Sequence, residues 1–249
     1  MVSDMNRIQP SVRSPQVGPV DPHWDLSLAQ CSTGGREVAH SLFAPQHYEP
    51  NYAYPLIVWL HGPKDDERQL VRIMPIVSMR NYVAVAPRGV VSNPSSDTNS
   101  AWLVSEGVAS QTEQNVFDSI AIAREKFHIA PRRIFVAGHD TGGTMAYHLA
   151  LSHPEYFAGA LSFAGALPTG QKPFRHLEQA RRLAVFMAVG RDSTAYSPEK
   201  ACDDLRLLHS AGLSITFRQY PCGQELCMPM LQDMDRWIIE QITRPLDDA

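Results

Sequence analysis

A short glycine-flanked turn constrains this chain more than any other feature. The segment 138–142 (GHDTG) follows a run of apolar residues and opens a helical pattern, so it joins a buried strand to a helix. Glycine is needed on both sides of the central residue, Asp140, because so tight a turn leaves no room for neighbouring side chains. A strand, a sharp turn and a helix in this order are typical of a nucleophile elbow, with Asp140 in the position of the nucleophile.

The rest of the chain alternates strands with helices, which favours one mostly parallel sheet covered on both faces. The run 54–60 is almost entirely apolar, as a central strand buried on both faces should be. Pro75 is expected to kink or interrupt the helix in which it lies. We predict strands at 36–43, 54–60, 82–86, 134–137, 161–164, 183–189 and 213–220, and helices at 66–79, 111–127, 141–151, 198–210 and 228–242. The fold class is therefore α/β, with a single doubly wound sheet flanked by helices.

The length and composition predict one folded domain. A chain of 249 residues with 44% hydrophobic content is long enough and apolar enough to bury one complete core. We expect residues 1–30 to form a flexible segment, because their prolines, serines and polar residues show little periodic apolar pattern. Residues 31–249 would form the domain. The polar stretch 88–110 is long for a loop, which is typical of a functional or disordered segment.

Charge and cysteine usage exclude several classes of partner. The net charge of −4 provides no basic field for nucleic acid or an anionic membrane surface. No apolar run approaches the ~18 residues of a membrane span, and we expect a cytoplasmic protein. The spacing of the four cysteines matches neither a disulfide framework nor a zinc site, so no metal or cofactor is predicted. Cys222 and Cys227 flank one loop and are expected to be free thiols that pair only in an oxidising compartment.

Six motifs carry a resemblance to a known family. In order and spacing they resemble the carboxylesterase, phospholipase and acyl-thioesterase family of α/β-hydrolases, over roughly residues 36 to 243. The resemblance implies an α/β-hydrolase fold and ester hydrolysis by a serine, a histidine and an aspartate. The motifs are IVWLHG (57–62), APRG (86–89), AWL (101–103), GHDTGGTMA (138–146), HPEYFAGAL (153–161) and YPCGQE (220–225).

The same resemblance assigns the catalytic positions. It places the nucleophile at Asp140, the acid at Asp192 and the base at Gln224. Only the acid matches the family, which has a serine and a histidine at the other two positions. A glutamine amide neither takes up nor returns a proton at any accessible pH, so the serine-esterase mechanism lacks its base as well as its hydroxyl.

The family's oxyanion hole is also altered. It is formed by two backbone amides, of which Thr141 can supply the first. The second falls on Pro63, directly after Gly62, and proline has no N–H. Trp102, in the long polar stretch, is expected either to line a ligand pocket over the site or to anchor its loop on the domain.

These substitutions predict a weak or inactive serine esterase. Losing a triad member typically costs on the order of 10⁴ to 10⁶ in rate, and losing one oxyanion donor about 10² to 10³. The retained pocket predicts a binding site for a small acyl or ester-like ligand. The sequence leaves the oligomeric state open.

Asp140 has three alternative roles. Haloalkane dehalogenases and epoxide hydrolases, which are also α/β-hydrolases, use an aspartate in a similar context, so Asp140 is a candidate nucleophile, or base for a water. As an N-cap it would accept hydrogen bonds from helix amides and contribute about 0.5–2 kcal/mol. Together with Asp192 and Gln224 it is a candidate hard-metal site. Asp192 itself is either part of the site or a cap of the turn after its strand.

Two histidines lie close to the site in the sequence. His139 is adjacent to Asp140, and at so tight a turn its ring is expected to point away from the pocket. His61 is expected to bond the backbone, as imidazoles at a strand end commonly do, instead of serving as a base.

Overall fold

A computed structural model describes residues 28–33, 36–91, 100–102, 106–169 and 172–244. The predicted flexible segment therefore lies outside the described residues, except for 28–30. The strands are β1 (Leu28–Thr33), β2 (Arg36–Phe43), β3 (Tyr54–Leu60), β4 (Val83–Pro87), β5 (Val90–Val91), β6 (Ser100–Ala101), β7 (Ile129–His139), β8 (Gly159–Phe163), β9 (Ala184–Gly190) and β10 (Ser214–Tyr220). The helices are α1 (Gln69–Val77), α2 (Glu106–Lys126), α3 (Thr141–Ser152), α4 (Leu177–Ala180), α5 (Pro198–Ser210) and α6 (Met228–Thr243), with a 3₁₀ turn at Lys172–Phe174.

Eight strands form one sheet in the order β1-β2-β4-β3-β7-β8-β9-β10. The pairs β1–β2 and β2–β4 are antiparallel, and the remaining pairs are parallel. The predicted doubly wound, mostly parallel sheet is confirmed. The first strand was not predicted; β1 begins at Leu28 and crosses the predicted boundary between residues 30 and 31. The short strands β5 and β6 pair with each other outside this sheet.

Helices cover both faces of the sheet and enclose two apolar cores. In β3, Leu56, Val58 and Leu60 face the core under α2, α3 and α5, whereas Ile57 and Trp59 face the core under α1 and α6. This alternation is the two-residue period of a strand. Because both faces are covered, every residue of β3 is buried, which accounts for its unbroken apolar sequence.

Several boundaries differ from the predicted ones. Pro75 lies inside the last turn of α1 and does not interrupt it, since a proline this close to the end removes only one late hydrogen bond. The helix α2 begins at Glu106, in a polar stretch that was predicted to be a loop. The strand β7 begins at Ile129, because Pro131, Arg132 and Arg133 continue the strand although they break its apolar pattern.

None of the described helices is long and apolar enough to cross a membrane.

The turn between β7 and α3 is packed without space for side chains at its two flanking glycines. A Cβ on Gly138 would overlap the carbonyl oxygen of Gly142. A Cβ on Gly142 would in turn overlap the carbonyl oxygen of Leu60, at the end of β3. Both neighbours are backbone atoms, which cannot move aside without displacing a central strand or the helix.

We predict that Gly142→Ala lowers the free energy of unfolding by about 2–3 kcal/mol, because the added methyl group meets backbone atoms on two sides. Gly223→Ala is the matched control. Its Cβ would meet first the Glu225 carboxylate, 2.8 Å away at the end of a flexible side chain, and the cost should be within about 0.5 kcal/mol. Urea unfolding of both variants measures the difference; equal midpoints would contradict the packing argument.

Candidate active site

Asp140 lies at the turn between β7 and α3, at the carboxyl end of the central strands. Its backbone has φ 53° and ψ −119°, a conformation that residues other than glycine rarely adopt. Two hydrogen bonds hold it there: the Asp140 amide donates to the Phe163 carbonyl at 2.8 Å, and the Thr144 amide donates to the Asp140 carbonyl at 3.0 Å. Such strain costs on the order of 1–3 kcal/mol and persists only where the surroundings impose it.

The Asp140 side chain does not cap α3. Its carboxylate accepts no hydrogen bond from the first turn of the helix, so the N-cap role considered for this residue is wrong. The carboxylate turns instead toward the loop after β10, where Oδ2 accepts a hydrogen bond of 2.7 Å from Gln224 Nε2. The other oxygen, Oδ1, has no hydrogen-bond partner among the described residues.

The Gln224 amide is satisfied on both sides. Nε2 donates to Asp140 Oδ2 and, at 3.0 Å, to the Ala164 carbonyl. Oε1 accepts from the Ser193 hydroxyl and, at 3.4 Å, from the Tyr196 amide. A carbonyl can only accept and a backbone amide can only donate, so these partners determine which end of the amide faces Asp140.

Ala164 supports this arrangement through its backbone. It follows β8 and has φ 56°, the second non-glycine residue of the site in the left-handed region. Its amide donates to the Ala188 carbonyl at 2.8 Å in the neighbouring strand β9, which leaves its own carbonyl directed at Gln224. The two residues with positive φ therefore both bond the same group: the Asp140 carboxylate and the Ala164 carbonyl each accept a hydrogen bond from Gln224 Nε2.

Asp192 is not part of this set. Its side chain is 60% exposed and pairs with Arg191, whose Nε lies 3.1 Å from Asp192 Oδ1. Among the described residues the Asp192 carboxylate makes no hydrogen bond to Gln224, to Asp140 or to a backbone amide. The turn cap considered for Asp192 is therefore wrong, and the metal site considered for Asp140, Asp192 and Gln224 stays a prediction.

Ser193, and not the adjacent Asp192, contacts Gln224 from the loop after β9. It is buried and its hydroxyl donates to Gln224. The chemistry of the amide explains why Ser193 makes this contact. Because Nε2 donates to Asp140, Gln224 presents only the acceptor Oε1 to the loop after β9. A carboxylate also only accepts, so Asp192 cannot bond there, whereas the hydroxyl of the next residue can. This donor requirement was the signal available in the sequence for Ser193.

Three residues were assigned to the oxyanion hole by the resemblance. Thr141 is the first residue of α3, and its side-chain oxygen is buried and has no hydrogen-bond partner among the described residues. Pro63 is exposed and contributes no N–H. Gly62 is buried against the ring of His139, whose Nε2 lies 2.7 Å from the Gln224 carbonyl oxygen. The His139 ring thus packs between two loops of the site, and it makes no hydrogen bond to the Asp140 carboxylate.

His61 bonds the backbone, as predicted. Its Nδ1 lies 2.9 Å from the Gly62 carbonyl oxygen, and the Gly89 amide donates to Nε2 at 3.0 Å. Burial lowers the pKa of His61, which agrees with a neutral ring that accepts at Nε2. Trp102 is buried and donates from Nε1 to the His61 carbonyl at 2.8 Å, so it anchors its loop on the domain.

No group of three or more histidine, cysteine, aspartate or glutamate side chains suited to a metal ion occurs in the part of the chain that the structure describes.

Comparison with known proteins places this site in a family. Residues 32–219 match the sequence profile of the Esterase family. A mouse (Mus musculus) protein named lysophospholipase-like protein 1 is 29% identical over 126 residues, which are 49% of this chain and 52% of that protein. The chain thus spans about half the length of this curated relative.

Two solved structures share the fold. SOBER1 of Arabidopsis thaliana superposes with a TM-score of 0.66 at 19% identity, covering 77% of this chain and 100% of that one. A carboxylesterase of Bacillus cereus superposes with a TM-score of 0.64 at 18% identity, covering 82% of this chain and 94% of that one. At these identities the likeness establishes the α/β-hydrolase fold.

The contact between Asp140 and Gln224 predicts a specific pH dependence for Gln224→Glu. Two carboxylates in contact cannot both be ionised without cost, so at neutral pH the variant should lose about 1–2 kcal/mol of stability. As the pH falls, one proton bound by the pair in the folded state relieves the repulsion. The variant should therefore approach the wild type below about pH 5.

Urea unfolding at pH 7.5 and pH 5 measures this change, and Asp140→Asn combined with Gln224→Glu is the control. Removing one charge should abolish the pH-dependent difference. A Gln224→Glu variant whose stability relative to the wild type does not change with pH would contradict the contact.

Proposed function

This chain belongs to the Esterase family, and from that premise we propose that it binds a small acyl or ester-like molecule without hydrolysing it as a serine esterase. One observation carries the proposal: the side chains that meet at the elbow are a carboxylate and an amide, Asp140 Oδ2 and Gln224 Nε2, at 2.7 Å. Acyl transfer on this fold needs a hydroxyl and an imidazole that takes its proton. Both ends of the Gln224 amide are occupied by hydrogen bonds, and an amide does not act as an acid or a base at accessible pH.

The negative charge of the Asp140 carboxylate would destabilise the transition state of ester hydrolysis. A tetrahedral intermediate develops negative charge on the former carbonyl oxygen, and the oxyanion hole stabilises it. Here a fixed carboxylate lies at the position of the nucleophile, and Pro63 removes one amide donor. The site therefore repels the charge that an esterase must attract.

The same carboxylate favours a particular class of ligand. Asp140 Oδ1 has no hydrogen-bond partner among the described residues, so a bound molecule can donate to it. An acyl compound with an N–H or O–H meets this requirement, whereas a free carboxylate is repelled. We therefore expect neutral carboxamides to bind in preference to the carboxylates of the same chain length.

We predict that the wild type does not hydrolyse 4-nitrophenyl acetate or butyrate faster than Asp140→Asn. Butyramide at saturating concentration should raise the melting temperature of the wild type, and butyrate should not. Asp140→Asn keeps the side-chain volume but not the charge, so the preference for butyramide over butyrate should disappear. Steady-state absorbance assays and thermal melts measure both effects. Ester turnover that Asp140→Asn abolishes would overturn the proposal.

A second function has one observation in its favour. Asp140 keeps the strained backbone that presents a nucleophile, and its Oδ1 has no bond to another described residue. An anionic carboxylate attacks an alkyl carbon without a base, forming a C–O bond as the halide leaves with its electron pair. Clearing the resulting ester needs an activated water, which Gln224 cannot provide. We therefore infer a reaction that stops after one alkylation.

Peptide mapping by mass spectrometry after exposure to 1-bromobutane or an epoxide tests this second function, because it distinguishes Asp140 from the free thiols. The expected result is one butyl or hydroxyalkyl group on Asp140, absent from Asp140→Asn, with no further release of alcohol. An unmodified Asp140 after prolonged exposure would remove the second function and leave the binding proposal standing. Repeated turnover would contradict the role assigned to Gln224.

A further inference from the structure

Two cysteines flank the loop that carries Gln224. Cys222 and Cys227 bound a six-residue segment between β10 and α6. Both are half-buried free thiols, and both pack against the core under α1 and α6. The thiols are therefore shielded in part by the same apolar surface, yet open to a small solute.

Backbone hydrogen bonds hold both ends of this segment. The Cys222 amide donates to the Tyr220 carbonyl, and its own carbonyl accepts from the Asp192 amide, each at 2.9 Å. Cys227 is the N-cap residue of α6, and its carbonyl accepts from the Met230 amide at 3.1 Å. The two cysteines are thus attached to separate rigid elements, the end of β10 and the start of α6.

A side-chain hydrogen bond joins the Cys222 and Cys227 thiols, so the two sulfurs are neighbours. Burial, followed by this hydrogen bond, raises the pKa of Cys222 to about 12. Cys222 therefore stays protonated at neutral pH and is a poor attacking thiol, so we assign the first attack to the other cysteine of the loop.

We propose that Cys222 and Cys227 form a reversible dithiol–disulfide site that closes the Gln224 loop into a ring. The Cys227 thiolate attacks one sulfur of glutathione disulfide, and the first glutathione leaves as a thiolate that takes up a proton. Cys222 then loses its proton to solvent and attacks the Cys227 sulfur, which expels the second glutathione. Two protein thiols are oxidised, and one glutathione disulfide is reduced to two thiols.

Ring closure restrains the loop that carries Gln224. The loop is already braced internally, since the Gly223 amide donates to the Glu225 carboxylate at 3.1 Å. A covalent link between its ends restrains the unfolded chain more than the folded one. The oxidised protein should therefore melt about 4–8 °C higher than the reduced protein.

The test uses the full chain in buffers with varied ratios of reduced to oxidised glutathione. Free thiols are alkylated and peptides are mapped by mass spectrometry. We expect a peptide pair joined through Cys222 and Cys227, two hydrogens lighter than the reduced pair, that returns to the dithiol when reduced glutathione is in excess. Cys202, a half-buried thiol on α5, serves as the internal control and should stay open to alkylation.

Single substitutions distinguish the roles of the two cysteines. Cys222→Ser should hold glutathione as a stable mixed disulfide on Cys227, and Cys227→Ser should react more slowly at Cys222. Neither variant should show the rise in melting temperature. Independent alkylation of both cysteines under oxidising conditions, or a link from either one to Cys31 or Cys202, would overturn the proposal without reference to ester chemistry or ligand binding.

Discussion

The hydrogen bond between Gln224 Nε2 and Asp140 Oδ2 determines how the rest of the site is arranged. Once the amide donates to the carboxylate, its oxygen faces the loop after β9, and only a donor fits there. Ser193 supplies that donor, and Asp192 turns outward to Arg191. Two changes from the family pattern, at residues 140 and 224, thus form one consistent network, because each satisfies the hydrogen-bonding needs that the other creates.

The backbone conformation at Asp140 does not depend on its side chain. Asp140 retains the strained turn of a nucleophile, held by backbone contacts to Phe163 and Thr144 that do not depend on the side chain. Fold and chemistry are therefore separable here: the sheet and its packed turn position whatever residue lies at the elbow. At that point a carboxylate can only accept hydrogen bonds, where a serine would provide a hydroxyl.

Much of the architecture could be predicted because it follows from local patterns. The helix 198–210 was predicted with its observed bounds, since Pro198 fits a first turn and Gly212, at φ 87°, ends the helix. The strand β3 was predicted because burial on both faces leaves one apolar run. The loop contacts could not be predicted in the same way. Which of two adjacent residues, such as Asp192 and Ser193, contacts Gln224 depends on the direction in which the loop turns and on whether the partner needs a donor. The periodic pattern of apolar residues does not indicate either.

Nuclear magnetic resonance of the Gln224 side-chain amide tests the central claim most directly. In protein labelled with ¹⁵N at glutamine, the account predicts Nε2 protons that are shifted by the neighbouring carboxylate and protected from exchange with solvent. Asp140→Asn should remove this shift. Amide protons that exchange freely and give the same resonances in the wild type and in Asp140→Asn would contradict it.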